Sequence, residues 1–291
     1  MDVKNHNMNK EKSIMRKRFR IIAFLAFFLG IVMAVSQYFE FVSKTVYEES
    51  VSHLTEVFHQ SNNMLGELTH KNLMYLHMWS EYLQDAPSES KIRDYIDKAQ
   101  KDAGFLYFYF LSADGNYKTT TGETGYLGLQ ENIEDEIQKG NDIITNAAVP
   151  GKSQMLVFAS PKAHGSYQGF KYDAIAIAYE NADIVNVLDI SAFNGKAKSY
   201  VLHPDGRVVI DHSLESWGNV YNFFGILREH TDISEKEILE ISKKFKERHT
   251  GAMLVNLDGK DYYLVYEKSD IQDWIFLGLV QADIVNASMN T

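Results

Sequence analysis

The stretch IIAFLAFFLGIVMAVSQYF (Ile21–Phe39) decides how this chain is organised, because it contains no charged residue. A helix rises about 1.5 Å per residue, so this stretch reaches about 28 Å, enough to cross the apolar core of a bilayer. After Glu40 the sequence becomes polar, yet apolar residues keep recurring at steps of three, four and seven as far as Leu83. We therefore predict one long helix that begins in the membrane and continues into a folded domain.

The positive charges before this stretch predict its orientation. The six nearest to it are Lys10, Lys12, Arg16, Lys17, Arg18 and Arg20. Basic residues beside a membrane helix stay on the cytoplasmic side, so we expect the N-terminus inside a cytoplasmic membrane and everything after Val42 outside it. A cleaved signal peptide is the alternative. We favour an uncleaved anchor, because the apolar stretch is long and the cleavable Ala34–Ser36 lies within it.

The composition indicates a folded domain and excludes several classes of function. Hydrophobic residues make up 45% of the chain and aromatic residues 13%, which is enough for packed cores. The net charge is −10, so the part that follows the basic head is strongly acidic, which argues against nucleic acid as a partner. The chain has no cysteine, which excludes disulfides, thiolate metal sites and cysteine nucleophiles.

The residues after the long helix predict a first block of α and β elements. We expect a helix over Glu89–Ala103, a strand pair Phe105–Leu111 and Tyr117–Thr121, a short helix at Leu129, Ile133 and Ile137, and strands Ile143–Val149, Gln154–Ser160 and Tyr172–Tyr179. Asp114-Gly115 between the first two strands predicts a hairpin, because both residues accept the positive φ of a tight turn. Pro87 ends the preceding long helix.

A second block repeats this order. The expected elements are a hairpin of Tyr200–Leu202 and Arg207–Ile210, a helix Ser234–Arg248, a hairpin of Ala252–Leu257 and Tyr262–Tyr266, and a last strand Trp274–Val280. The identical runs Ala182–Asn186 and Ala282–Asn286 each follow the last strand of a block, which favours duplication. We predict an α+β fold in which a long N-terminal helix precedes two tandem modules with antiparallel sheets.

The usual catalytic and metal-binding motifs are absent from the sequence. It has no Gly-rich phosphate loop, no Gly-x-Ser-x-Gly elbow and no His-Glu-x-x-His pair. His53, His70 and His77 lie on one helix at spacings that do not converge on a metal ion. We predict no catalytic residue, no metal site and no cofactor.

The aromatic run FLYFYF (Phe105–Phe110) carries the best candidates for ligand binding. Because a strand alternates its faces, Tyr107 and Tyr109 share one face and Phe108 and Phe110 the other. A sheet that is apolar on both faces must be covered on both, and the long helix covers only one. The tyrosine face is either a second core layer or a ligand pocket with two hydroxyl handles. Weaker candidates of the same type, taken from strand ends and position, are Tyr126, Phe158, Ser160, Tyr172 and Asp173.

Taken together, these features resemble a known family. The chain resembles the double Cache, or PAS-like, extracytoplasmic sensor domain of bacterial membrane receptors. The features that carry this resemblance are the long helix from membrane to domain, the turns Ser112-Ala-Asp-Gly115 and His203-Pro-Asp-Gly206 in two tandem modules, and the closing stretch Trp274–Ala287. Such receptors include diguanylate cyclases and sensor histidine kinases. The resemblance covers roughly residues 40–287.

The resemblance implies where the domains of the chain begin and end, and which module binds the ligand. The domains are a cytoplasmic tail 1–20, a transmembrane helix 21–42, a stalk helix 43–88, a membrane-distal module 89–192 and a membrane-proximal module 193–287. In the family the distal module binds small ligands and the proximal one relays. The amino-acid-binding members carry an arginine followed by Trp-Tyr, and the corresponding Tyr126–Gln130 has neither arginine nor tryptophan. We therefore do not expect an amino-acid receptor, and we predict no particular ligand.

The function expected from sequence is that of a non-enzymatic sensor segment. It would bind a small molecule, form a homodimer through the long helix and signal to a cytoplasmic output domain beyond Thr291, either a cyclase or a kinase. One alternative is a single-span surface protein for binding or assembly that has no output domain. Another is an exported hydrolase, which requires converging carboxylates or a Ser–His pair that the sequence does not reveal.

Overall fold

A computed structural model describes residues 2–85, 88–129, 133–148, 154–187, 196–211, 222–247 and 249–289. The chain divides into two compact units, Met1–Ser52 and His53–Thr291. The helices in the described residues are α1 (Asp2–Asp85), α2 (Glu89–Ala103), α3 (Glu134–Lys139), α4 (Asn181–Val187), α5 (Phe223–His230), α6 (Glu235–Lys246) and α7 (Ala282–Met289). The predicted helix stop at Pro87 and the predicted boundary between residues 192 and 193 lie outside the described residues.

The first unit contains the apolar part of α1. Phe27, Phe28 and Leu29 follow one another and are 57–68% exposed, so large apolar side chains point outward on several sides of the helix. Within the described residues, α1 is the one helix that is long and apolar enough to cross a membrane. Because a helix that is apolar all round needs apolar surroundings, this part of α1 fits a membrane span. The orientation and the boundary at Val42 stay predictions.

The first module contains a seven-stranded antiparallel sheet. Its strands are β1 (Tyr107–Leu111), β2 (Asn116–Lys118), β3 (Thr124–Tyr126), β4 (Gly128–Leu129), β5 (Ile143–Ala148), β6 (Met155–Ser160) and β9 (Ala174–Glu180). Their spatial order is β3-β2-β1-β9-β6-β5-β4. A separate two-stranded hairpin, β7 (Gly165–Tyr167) and β8 (Phe170–Tyr172), is inserted between β6 and β9.

The second module contains a five-stranded antiparallel sheet. Its strands are β10 (Lys198–Leu202), β11 (Val208–Asp211), β12 (Gly251–Leu257), β13 (Lys260–Lys268) and β14 (Ile275–Gln281). Their spatial order is β11-β10-β14-β13-β12. Helices α4 and α7 follow the last strand of their sheets and contain the two identical five-residue runs. The predicted α+β fold with two antiparallel modules is confirmed.

Local sequence signals account for several of these elements. Asp258 and Gly259 both have positive φ, at 51° and 79°, in the turn between β12 and β13, as the hairpin prediction requires. The Ser234 hydroxyl accepts from the Glu237 backbone N–H, and the Glu237 carboxylate accepts from the Ser234 N–H. This reciprocal capping box starts α6 at the predicted place.

Several short elements differ from the sequence analysis. Strands β3, β4 and β7 were not predicted, and the short helix expected at Leu129, Ile133 and Ile137 begins only at Glu134, with Leu129 in β4. Helix α5 was not predicted either, because eight residues with a glycine inside carry little helical propensity and tertiary packing decides them. The predicted strand Tyr117–Thr121 is shorter, because Gly122 N–H donates to the Thr119 carbonyl and turns the chain. The predicted strand Tyr172–Tyr179 is divided, because Tyr172 ends β8 and β9 begins at Ala174.

Within the second unit, α1 packs on one face of both sheets. The Trp79 ring lies 5.3 Å from that of Phe105 and 6.1 Å from that of Phe108 on the first sheet. The Phe58 ring lies 6.4 Å from that of Phe276 on the second sheet. The predicted coverage of one sheet face by the long helix is therefore present in both modules.

Direct hydrogen bonds join the two modules. The Asn146 side-chain amide on β5 donates to the Val209 carbonyl on β11 at 2.6 Å. The Gln272 side-chain amide donates to the Ile144 carbonyl on β5 at 3.0 Å. The modules are thus linked at β5, next to the face that α1 covers.

Candidate functional site

The face of the first sheet that points away from α1 combines five alanines with larger apolar side chains. Ala176 on β9 is the direct neighbour of Tyr109 on β1 and of Ala159 on β6. Residues opposite each other on antiparallel strands point to the same face, so these three lie together. The buried cluster on this face is Tyr109, Leu111, Tyr117, Leu127, Ile133, Ile143, Ala147, Met155, Val157, Ala159, Ala174, Ala176 and Ala178. Five alanines therefore form its floor, which we call the alanine floor.

Three tyrosines lie over and beside the alanine floor. The rings of Tyr107 and Tyr109 stack at 5.8 Å, and the rings of Tyr109 and Tyr117 are 4.6 Å apart. Tyr109 is fully buried, and its hydroxyl has no hydrogen-bond partner among the described residues. A buried hydroxyl without a partner is rare and costs about 1–3 kcal/mol.

The electrostatics of this site keep the tyrosines neutral. Burial raises the pKa of Tyr109 far above its usual value, and nearby Tyr117, Tyr107 and Glu123 raise it further. Burial and the charge of Glu123 also raise the pKa of Tyr117, whose hydroxyl donates to the Glu123 carboxylate at 3.5 Å. A neutral phenol can both donate and accept, so the Tyr109 hydroxyl is available to either kind of ligand group.

Two other predicted residues, Phe158 and Ser160, lie on the opposite face, toward α1. Phe158 and Phe108 are both neighbours of Ile177, which places all three on the face that Trp79 covers. Ser160 is a neighbour of Ile175 on that face; it is fully buried and its hydroxyl has no described partner. The predicted residues therefore do not converge on one site.

Tyr172, Asp173 and Tyr126 also lie apart from the alanine floor. The Tyr172 ring packs 4.9 Å from Phe110, on the α1 side. The Asp173 carboxylate accepts from the Ala113 N–H at 3.0 Å and so holds the turn after β1. Tyr126 is 59% exposed on β3, near that turn. Of the predicted set, the structure brings together only Tyr107 and Tyr109.

The equivalent face of the second sheet is filled by large side chains. Its buried cluster includes Phe223, Phe224 and Leu227 from α5, and Ile238, Ile241 and Phe245 from α6. The Phe245 ring lies 5.1 Å from that of Tyr266 on β13. The second module has Tyr200 five residues before the aspartate of its Asp-Gly turn, and Tyr109 holds the same position in the first module. The neighbour of Tyr200 on β14 is Leu277, where the neighbour of Tyr109 on β9 is Ala176.

The sequence analysis missed the alanine floor, although a pattern for it was present. In Ala174–Ala178 alanine alternates with isoleucine, which puts small residues on one face of β9 and large ones on the other. Tyr117 was also missed, because its position beside Tyr109 depends on the register of β1 and β2. As for metals, no group of three or more His, Cys, Asp or Glu suited to an ion occurs in the part of the chain that the structure describes.

Comparisons with known proteins support the fold. No family model matches the sequence. No curated protein matches it either. The ligand-binding domain of the chemoreceptor PctB of Pseudomonas aeruginosa PAO1, in complex with L-Arg, is similar in structure with a TM-score of 0.58 and 15% identity, over 81% of this chain and 97% of that one. The extracellular domain of the histidine kinase mmHK1S-Z3 is similar with a TM-score of 0.55 and 12% identity, over 85% and 98%.

A third solved structure extends the same similarity. The ligand-binding domain of the Campylobacter jejuni chemoreceptor Tlp3, in complex with 4-methylisoleucine, has a TM-score of 0.52 and 10% identity, over 83% of this chain and 94% of that one. All three are sensory domains with a helix and antiparallel sheets in this arrangement. The predicted double Cache fold is therefore confirmed, whereas identities this low carry no residue roles from one protein to another.

Proposed function

We propose that this chain, with its double Cache fold and its apolar N-terminal helix, is the extracytoplasmic sensing region of a bacterial membrane receptor. It binds a small molecule over the alanine floor of the first sheet and relays that event through α1. The segment performs no catalysis itself. Sensory domains of chemoreceptors and histidine kinases with the same fold support this proposal.

The observation that carries the proposal is the contrast between the two equivalent sheet faces. Tyr200 faces Leu277, and its ring lies 6.0 Å from that of Phe223 in a face packed by α5 and α6. Tyr109 occupies the same position over Ala176. Because alanines fill far less volume than leucine and phenylalanine, rotation of the Tyr107 and Tyr109 rings would open more space over the first sheet than rotation of Tyr200 would over the second. The first module is therefore the one we assign to ligand binding.

The chemistry of the site favours ligands unlike free amino acids. No lysine or arginine occupies the positions of β1, β5, β6 and β9 that share this face, so these strands offer no partner for a carboxylate. PctB and Tlp3 are described with amino acids or a derivative bound. This chain instead offers a neutral phenol, apolar walls and the acidic Glu123 at the rim.

Strand β9 has side chains on both faces of the first sheet, and it therefore connects the ligand side of the sheet with α1. Strand β9 presents Ala176 to the ligand side and Tyr179 to α1, where the Tyr179 hydroxyl donates to the side-chain Oδ1 of Asn72 at 2.9 Å. Ligand entry that moves β9 therefore changes a buried contact with α1. Such a change signals only if the ligand binds two packings of α1 with different affinity.

A homodimer provides the second surface against which α1 can move. Eight residues of α1 follow the alternating four- and three-residue spacing of a coiled-coil seam: Val57, Gln60, Met64, Glu67, Lys71, Met74, Met78 and Glu81. Met64, Met74 and Met78 are 42–49% exposed. In a parallel pair Glu67 can meet Lys71 of the partner subunit in the neighbouring layer. We therefore propose this stripe as the dimer seam.

The test is thermal unfolding of the full chain in lipid nanodiscs across a panel of organic acids, amines, nucleobases, sugars and amino acids. A ligand at about 100 times its dissociation constant adds about 2.7 kcal/mol, a shift of several degrees. We expect Tyr109→Phe to weaken a hit and Tyr179→Phe to leave it unchanged. Tyr179→Phe is the matched control, because it removes a buried hydroxyl from the other face of the same sheet.

Two outcomes would count against the proposal. A hit that responds to Tyr179→Phe and ignores Tyr109→Phe would place the ligand elsewhere. No shift with any compound, combined with capture of a specific protein partner, would favour a surface-anchored binding or assembly protein.

A further inference from the structure

A groove runs beside α1 where the helix meets both modules, on the opposite side of the first sheet from the alanine floor. Its volume is about 590 Å³. One wall is the stripe Asn62, Gly66, Thr69 and Leu73 of α1; the other is Ile144 at the start of β5 and the loop Asp270–Gln272 after β13. The groove therefore touches the helix and both sheets at once.

The helix wall of the groove is a straight line of side chains. Spacings of four, three and four residues put Asn62, Gly66, Thr69 and Leu73 on one side of α1, well away from the methionine seam. Gly66 lies in the middle, and a Cβ atom built there would meet nothing within 4 Å. The groove is thus open at its centre and apolar at the Leu73 and Ile144 end.

Two buried acceptors on this wall have no hydrogen-bond partner in the part of the chain that the structure describes. Asn62 donates both amide protons, to the Glu267 carboxylate at 2.7 Å and to the Lys268 carbonyl at 3.1 Å. This fixes the amide, so its carbonyl oxygen points away from Glu267 and is left without a donor. Thr69 is 6% exposed, and its hydroxyl is likewise without a hydrogen-bond partner among the described residues. Seven residues separate the two, about 10 Å along the helix.

The charge of the groove is negative. Glu67 and Asp270 line it, and none of its described lining residues is a lysine or an arginine. Buried acceptors without donors are destabilising, and carboxylates at the mouth attract cations. A ligand that fits must therefore bring hydrogen-bond donors, positive charge and an apolar middle.

We propose that this groove is a second binding site, separate from the alanine floor, and that it takes an elongated organic diamine. Because both oxygens are buried, the side chains that cover them must move apart as the ligand enters. One ammonium group then donates to the Asn62 side-chain oxygen and the other to the Thr69 hydroxyl, while the alkyl chain lies across Gly66. Asp270 on the loop wall balances part of the charge, because Glu67 belongs to the proposed dimer seam. Because the ligand would contact α1 and both modules together, it would stabilise one arrangement of the three and so act on the same relay as a ligand over the alanine floor.

The experiment uses the full chain in nanodiscs made of zwitterionic lipid. Thermal unfolding and calorimetric titration are run with diaminobutane, diaminohexane and diaminooctane, with hexylamine as the single-charge control. We expect the longer diamines to raise the unfolding temperature more than diaminobutane and hexylamine do. No stabilisation by any diamine would overturn the proposal and leave ordered water as the partner of the two acceptors.

Two variants locate the binding. Gly66→Leu puts a side chain into the open groove and replaces a helix-weakening glycine, so it should fold and lose diamine stabilisation. Thr69→Val removes one acceptor at constant shape and should weaken affinity about tenfold. Tyr109→Phe should leave the rise in unfolding temperature caused by the diamine unchanged. If Tyr109→Phe abolished the shift and Gly66→Leu did not, the diamine would bind at the alanine floor and the groove proposal would be wrong.

Discussion

The ring of Phe58 on α1 lies directly over Gly278 in the middle of β14, and a Cβ atom at position 278 would stand 2.1 Å from its Cε2 atom. No side chain fits in that distance. The close approach of the helix to the second sheet therefore requires glycine at this position, and Phe58 fills the space that glycine leaves.

We expect Gly278→Ala to destabilise the protein by about 1–3 kcal/mol, because the added methyl overpacks a buried contact. Phe58→Ala should cost about 3–5 kcal/mol through the cavity it creates. In the Phe58→Ala background, Gly278→Ala should cost far less, since its clash is gone. Denaturant unfolding of the four proteins gives the coupling energy. Additive effects would contradict the observed contact.

Tyr109 and Tyr179, buried on opposite faces of the first sheet, should respond in opposite ways to loss of the hydroxyl. Tyr109→Phe should stabilise the unliganded protein by about 1 kcal/mol, because it removes a polar group that has no partner. Tyr179→Phe should destabilise it by about 1–2 kcal/mol, because the buried Asn72 oxygen loses its donor. Denaturant midpoints of both variants provide the test, and a loss of stability in Tyr109→Phe would show that its hydroxyl has a partner after all.

Asn62 should matter far more than its neighbour in the sequence. Its side chain satisfies the buried carboxylate of Glu267, which is 7% exposed, so Asn62→Ala should cost about 2–3 kcal/mol. Asn63→Ala is the matched control, because Asn63 is exposed on the same helix and should change stability by about 0.5 kcal/mol or less. Equal losses in the two variants, measured by thermal unfolding, would contradict this assignment.

His203 should make the protein sensitive to mild acid. Burial lowers the pKa of His203, and the nearby Arg207 lowers it further while Asp205 opposes both. The folded protein therefore takes up this proton less readily than the unfolded chain, whose histidine pKa is about 6.5. Stability is retained above that value and is lost as pH falls through the lower folded pKa.

The measurement is the unfolding temperature between about pH 8 and pH 5, for the native chain and for His203→Asn. We expect the native protein to lose more stability than the variant over the acidic half of this range. The comparison isolates His203 from the other histidines, which both proteins share. Parallel curves would show that His203 does not titrate differently on folding.

The proposed seam on α1 can be tested by cross-linking, since the chain has no cysteine of its own. Met74→Cys places one thiol in the seam, and oxidation of the full chain in membranes should yield a disulfide-linked dimer. His70→Cys is the control, because His70 is exposed on α1 outside the seam. A dimer that forms equally in both variants, or in the His70→Cys variant alone, would rule out this seam.

Much of the fold could be predicted because its signals lie within short segments. The apolar run Ile21–Phe39 indicates a membrane helix by itself, and Asp258-Gly259 indicates a hairpin by itself. The alternation in Tyr107–Phe110 placed the tyrosines on one face and the phenylalanines on the other, as the pairing with β9 confirms. Each of these inferences needs only neighbouring residues and the geometry of a helix or a strand.

The site was only half predictable, because it depends on distant parts of the chain. Tyr107 and Tyr109 were placed together, but Phe158 and Tyr172 were grouped with them although they pack toward α1. The residues near Phe158 in the sequence do not show which face of β6 packs against α1. That is set by the register of β6 against β9, which the whole sheet decides.

The sequence by itself therefore determined the long helix, the two blocks of antiparallel strands and the tyrosine pair, since local periodicity and turn chemistry are sufficient for these. Only the tertiary structure decided that Tyr109 faces Ala176 while Tyr200 faces Leu277. It also decided that Phe58 covers Gly278 and that Asn62 satisfies Glu267. Each of these contacts joins residues far apart in the chain, and they form only when the sheets close on α1 and the side chains compete for one core.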